Sequence, residues 1–260
     1  MTSYLARIWE YRHFWLSLVR MDLRTRYRRS VLGLGWSLLN PLLMSAVLCL
    51  VFSQMLNVSW KVYVPHLLTG TVCWNFILAC ALQGCQSFFQ GEAYIRQCPL
   101  PLGIYPLRTA IGAAFHLGMG LISLTIITGV LLGPPPLLAA FSLLPTLLLL
   151  FVFGWSMAVV AGAANVFFQD TQHLAEVGFQ LCFFLTPIIW RVEHLAEHSW
   201  AWLLNLNPFV HFLQLVREPL INHHAPSFSQ YGITIGIAAL TMMAATSLLR
   251  GLQDRLIFYL

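Results

Sequence analysis

Apolar residues run in long blocks separated by short polar breaks, too long for strands and too continuous for the one-sided helices of a soluble domain. No Asp, Glu, Lys or Arg occurs between Arg108 and Asp170, or between Glu218 and Arg250. A bilayer crossing takes about 20 apolar residues, so these gaps hold crossing helices. The blocks predict six crossings, over about 31–56, 62–88, 107–132, 137–164, 173–190 and 231–249. The fifth is marginal in length and either starts near His173 or lies tilted inside the protein.

The breaks carry their own signals. Gly133-Pro134-Pro135-Pro136 leaves almost no loop between the third and fourth blocks, which predicts a tight antiparallel hairpin. Trp60 and Lys61 suit a membrane boundary. Residues 191–230 are apolar but broken by Asn205, Asn207 and Pro208, which reads as a re-entrant pair of short helices. Over residues 4–24, Leu5, Ile8, Trp9, Phe14, Trp15, Leu18, Val19 and Leu23 fall largely on one helical face, with arginines between them. That pattern predicts an amphipathic helix lying in a membrane interface. The expected fold is an all-α membrane protein: an interfacial helix and basic linker over residues 1–30, then one transmembrane domain of six helices over 31–260, with external re-entrant helices between spans five and six.

Composition agrees. The 260 residues are 58% hydrophobic and only 9% charged, where soluble domains carry roughly 25% charged residues. Seven of the fourteen Lys and Arg residues precede residue 30, and four of those, Arg24, Arg26, Arg28 and Arg29, fall within six positions. In the six-span arrangement only Lys61, Arg191 and Arg217 lie on the side opposite the N-terminus. Positive charge gathers on the cytoplasmic side, so both termini are expected there, and no cleavable signal peptide is read. A net charge of +5 concentrated beside a membrane segment points to anionic membrane lipids and not to nucleic acid. Cys49, Cys73, Cys80, Cys85, Cys98 and Cys182 include no CxxC pair and read as small hydrophobes.

The chemistry is sparse. Apart from the marginal fifth block, which includes Glu176, the spans hold no carboxylate to serve a proton relay, and His116 is the one strongly titratable group deep in them, a packing histidine or a relay member. No GxxxxGK[ST] occurs, so ATP is not bound by a P-loop of this chain. His194 and His198, with Glu193 and Glu197, do not make HExxH, and together with His223 and His224 they read as an interfacial helix face, with no metal expected. Glu92, Asp170 and Glu176, the acidic residues between spans, show no repeated motif of a membrane enzyme on polyprenyl phosphates.

Several segments, taken in order, resemble the membrane subunits of type 2 ABC exporters of polysaccharides, the O-antigen, capsule and teichoic acid permeases. They are Arg26-Tyr27, Ser30, Leu32-Gly33, Trp36 and Pro41; Pro99, Pro101 and Pro106-Leu107; Asp170, with Gln169 where the family carries arginine; and Thr186-Pro187, Asn207-Pro208 and Arg217. The resemblance covers roughly residues 20–220.

It implies a homodimer in the cytoplasmic (inner) membrane, paired with two copies of a separate ATP-binding subunit that holds ATP and magnesium, and moving a lipid-linked polysaccharide. This chain itself binds no cofactor on that reading. Gly91, Glu92, Ala93, Tyr94, Ile95, Arg96 and Gln97, within a coupling segment of about 90–100, would dock on the ATPase, and Asn207, Pro208 and Arg217 would belong to an external gate. Arg24, Arg26, Arg28 and Arg29 either anchor the topology alone or also take a phosphate head group, to which arginine's fork is suited. Phe52, Trp74, Phe167, Phe168, Phe183, Phe184 and Trp190 are either platforms for sugar rings or ordinary packing aromatics. An exporter of a drug or small lipid is the alternative from the same class.

Overall fold

The computed structural model describes residues 2–28, 30–98, 100–192, 202–252 and 256, all helix and connecting turns. Two helices, α1 (Thr2–Glu10) and α2 (Arg12–Tyr27), precede α3 (Trp36–Met55) and α4 (Trp60–Cys85). Short α5 (Ser87–Gln90) and α6 (Glu92–Gln97) lead into α7 (Ile104–Leu132) and α8 (Leu137–Phe167), followed by α9 (Thr171–Leu185), α10 (Trp202–Leu206), α11 (Pro208–Leu220) and α12 (Phe228–Leu252). Among the described residues five helices, α3, α4, α7, α8 and α12, are long and apolar enough to cross a membrane. The chain is a multi-pass membrane protein.

α4 is the most enclosed of the five. Gly84 is the reason α8 comes so close: a Cβ there would sit 2.6 Å from Cα of Ala158, and one on Gly162 would sit 2.7 Å from the carbonyl oxygen of Gly84. Gly154, Ala158 and Gly162 recur every fourth residue on α8, the small-residue spacing that lets membrane helices approach backbone to backbone. The α7–α8 hairpin turns at Gly133, whose φ of +94° suits glycine.

Contacts along α4 give the depth of everything beside it. Gln172, at the start of α9, meets Gln86 just past the end of α4. Phe179 and Phe183 pack on Trp74, each with ring centroids 5.8 Å apart, and Tyr63 donates to the carbonyl of Ile189 at 2.7 Å. Residues 171–190 therefore run antiparallel to α4 along nearly its whole length. α11 then starts in mid-bundle, where Phe209 lies 5.4 Å from Trp74, and climbs back until Arg217 donates to the carbonyl of His66 at 3.2 Å. Asn207 sets that start: its side chain accepts from the backbone N–H of Phe209 at 3.0 Å, with Pro208 in the first helical turn. Its Nδ2 also donates to Thr186 at 3.0 Å, tying α11 to the end of α9.

α12 runs beside α8. Tyr231 donates to the carbonyl of Ser142 at 2.9 Å, and Ala245, Leu249, Leu252 and Leu256 share a cluster with Val159, Ala163 and Val166. Tyr4 of α1 packs against the same cluster, so the two chain ends meet at one end of the bundle, the basal end.

The N-terminal segment departs from the single interfacial helix expected over 4–24. It breaks at Tyr11, and α2 docks on the bundle with Leu18 and Val19 buried. Ile8, Phe14 and Trp15 pack with Ile104 and Leu107 of α7.

Candidate functional site

Asp22 and Arg26, one turn apart on α2, face Arg108 and His116, two turns apart on α7. Arg108, nearly buried, forms a two-pronged ion pair with Asp22. Arg26 Nη1 lies 2.9 Å from Nε2 of His116. A guanidinium can only donate, so Nε2 accepts and the imidazole carries its proton on Nδ1, which donates to Ser37 Oγ at 2.9 Å. Tyr27 closes the cluster, its hydroxyl 2.6 Å from Ser37 Oγ. His116 lies twelve residues into α7, about 18 Å along its axis. The basic segment thus reaches well into the bundle.

These side chains wall a cavity of about 450 Å³, completed by Ser30, Trp36, Asn40, Asn75 and Phe76. A second space of about 200 Å³ shares Arg26 and His116 with it and adds Asp22, Gln83, Gln90 and Arg108. A third, of about 430 Å³, runs along α4 and α9 between Asn75, Gln83, Gln86, Gln90, Gln172 and Glu176. Shared lining residues make the three one continuous cleft: Asn75 and Ala79 join the first to the third, and Gln83 and Gln90 join the second to the third. The cleft combines a cation, hydroxyls and carboxamides with the apolar rings of Trp36 and Phe76, so it can take an anionic group at one end and neutral polar groups along the rest.

The structure separates the four arginines. Arg26 lines the cleft, Arg24 and Arg28 are exposed outside its lining, and Arg29 lies outside the described residues. The aromatics separate too. Trp74 is buried, packed against Phe179, Phe183 and Phe209, and Phe52 packs beside Cys49, Tyr63 and Leu67. Phe183 is half-buried, Phe184 is exposed and in edge contact with it, and Trp190 donates to the carbonyl of Phe184 at 3.0 Å. Phe167 and Phe168 are exposed at the basal end. None of the seven lines the cleft; its aromatic members include Tyr27 and Trp36, which the sequence marked only as part of the family-like segment, and Phe76, which it did not single out.

At the basal end α6 is held by Ile95, which is buried, and by Tyr94, in edge contact with Phe14 at 5.4 Å. Gly91 lies flat against the ring of Tyr105. Glu92 and Arg96 pair at 2.8 Å on the open side, and Ala93, Arg96 and Gln97 are exposed. Tyr4 accepts from the N–H of Gly103 at 2.9 Å, and burial raises its phenol above the ordinary value of 10.0, keeping it protonated. At the opposite end Arg217 is buried against His66. The ring of His66 faces the carbonyl of Trp190 at 3.2 Å, and Nε2 cannot donate there while also accepting from Arg217. His223 and His224 sit in the turn after α11. Pro99, Glu193, His194, Glu197, His198 and Arg255 lie outside the described residues.

The sequence reading missed Asp22, Ser37, Asn40, Asn75, Gln83, Gln86, Gln90 and Gln172. A signal was present: polar residues at 75, 83 and 86 recur at helical spacing within an apolar span.

Residues 13–221 match the ABC-2 type transporter family. Among individual proteins, the chain is 26% identical over 210 residues to the O-antigen export system permease protein RfbA of Klebsiella pneumoniae, covering 79% of each. It is 22% identical over 255 residues to the O-antigen export system permease protein RfbA of Myxococcus xanthus, covering 98% of each.

Proposed function

The chain belongs to the ABC-2 type transporter family, and from that premise we propose that it is the membrane subunit of an ATP-driven exporter of a cell-surface polysaccharide. Its likeness along 98% of its length to a protein named for O-antigen export supports this reading. Residues 171–190, running the length of α4, are the fifth of six crossings, and α10–α11 form a re-entrant pair on the external side. Both termini, with the basic N-terminal segment, face the cytoplasm of a cell with an inner membrane. The ATP and magnesium belong to a partner ATPase, which docks on the exposed face of α6. Two copies of this chain enclose the path, since the cleft of a single copy is open along one side.

The observation that carries the proposal is Arg26 in the cleft wall. Nη1 engages His116, while Nε and Nη2 have no partner among the described residues. Those N–H groups suit the oxygens of a phosphate or pyrophosphate linking a lipid to a glycan. Ser30, Ser37 and Asn40 supply neutral hydrogen-bonding groups beside them, and Trp36 and Phe76 an apolar wall.

Purifying the chain with its partner ATPase and identifying retained lipids by mass spectrometry tests the reading. A polyprenyl-linked or other lipid-linked glycan is expected. Retention of a drug-like or simple lipid, with no glycan, would overturn it.

A further inference from the structure

Asn75 is exposed midway along α4, between Trp74 and Phe76, which are buried at 3% and 2% exposure. A carboxamide facing lipid hydrocarbon with no partner is strongly disfavoured, so Asn75 faces water or a polar ligand. Gln83, Gln86 and Gln90 continue from it toward the basal end, and Gln172 of α9 adds a further carboxamide. Gln86 donates to Gln172, which donates to Glu176 at 3.1 Å. The side-chain carboxamides of Asn75, Gln83 and Gln90 have no hydrogen-bond partner among the described residues. From Asn75 to Gln86 the strip extends about 16 Å along α4.

Resting on the exporter reading, we infer that this carboxamide strip is the guide surface for the glycan itself, and that it selects an uncharged, hydroxyl-rich polymer over a polyanionic one. Each carboxamide both donates and accepts, as does each sugar hydroxyl, so a chain moving along the strip exchanges one bond for another without meeting a fixed charge that would hold it. The charge lining this part of the cleft, among the described residues, is Glu176, which is negative. Arg26 and Arg108 line the neighbouring space together with Gln83 and Gln90; Arg108 is paired with Asp22, and Arg26 gives one N–H to His116 and keeps the others. Repeating carboxylates or phosphates along a polymer therefore meet Glu176 beside the strip, and near Gln83 and Gln90 a cation, Arg108, whose charge Asp22 already balances. A single phosphate at the lipid-linked end has Arg26.

The test uses the complex of this chain with its ATPase. Binding of a neutral mannose oligosaccharide is compared with that of a glucuronate-bearing hyaluronan oligosaccharide of equal length. The neutral chain is expected to bind more tightly. Asn75→Leu and Gln83→Leu should each weaken it by about fivefold, the value of one lost hydrogen bond, and lower surface polysaccharide in cells. Gln83→Lys should shift preference toward hyaluronan. Gln83→Glu, which keeps size and polarity, should retain the neutral ligand and weaken hyaluronan further, so a folding defect in the leucine variants leaves the inference testable. Equal or tighter binding of hyaluronan by the unaltered complex overturns it, as does unchanged neutral binding in both leucine variants. Gene deletion separates the two ideas. If deletion leaves surface polysaccharide intact, the exporter reading fails; if deletion removes it but the leucine variants export normally, only the strip fails.

Discussion

Arg26 of α2 and His116 of α7, ninety positions apart, stand 2.9 Å apart in the wall of the cleft. The contact places an N-terminal cation level with the middle of a long apolar helix and fixes which imidazole nitrogen accepts. Replacing His116 by Leu removes the acceptor and leaves the guanidinium without its partner, so the complex should melt at lower temperature in detergent. His116→Gln, whose carbonyl oxygen can accept, should recover most of the loss. Equal melting temperatures for the two variants would show that shape, and not hydrogen bonding, is what His116 supplies.

Asp22 and Arg108 pair below that contact, with Arg108 nearly buried and Asp22 partly open. Asp22→Asn leaves a buried cation without its counter-charge and should cost about 2 kcal/mol, less than a fully enclosed pair because water still reaches the carboxylate. Combining it with Arg108→Met should restore part of that stability. Protease cleavage after residues of α2 reports whether the helix has come off the bundle.

Gly84 admits no side chain, since its neighbour is the backbone of Ala158. Gly84→Val should cost at least about 2 kcal/mol, because a backbone contact has no rotamer to move aside. Gly118, which has open space where a Cβ would go, is the control: Gly118→Ala should change stability little. Thermal unfolding of the two variants side by side checks this.

The pair Glu92–Arg96 is solvent-facing and i,i+4. Arg96→Ala should change stability by less than about 0.5 kcal/mol, yet on the proposed docking of the ATPase it should reduce copurification of that subunit or uncouple its hydrolysis. Loss of stability with unchanged ATPase capture would mean that α6 is only a structural turn.

How much could be read from the sequence differs by element. The long apolar blocks marked α3, α4, α7, α8 and α12 to within a few residues, because hydropathy averaged over a window suits helices whose lipid-facing surface is large. α9 was harder: its fifteen residues mix Gln172, His173, Glu176 and Gln180 with apolar positions, since one face meets the cleft. The cleft escaped for a related reason. Asn75, Gln83 and Gln86 are diluted in the average over an apolar helix, and they matter through the side of α4 they share. Asp22–Arg108 and Arg26–His116 join positions far apart in the chain, and no local pattern carries such pairings. The arginine cluster was legible as a unit, but only packing on α7 shows that Arg26, and neither Arg24 nor Arg28, lines the cavity.

The central claim is tested most directly by ATP-driven movement of a lipid-linked glycan in vesicles containing this chain and its ATPase. The unaltered complex should carry the glycan across the bilayer on addition of ATP, and the Arg26→Gln complex, assembled to the same level and still hydrolysing ATP, should carry little or none. Transport by Arg26→Gln at the unaltered rate would contradict the head-group role, and absence of any glycan movement by the unaltered complex would contradict the exporter itself.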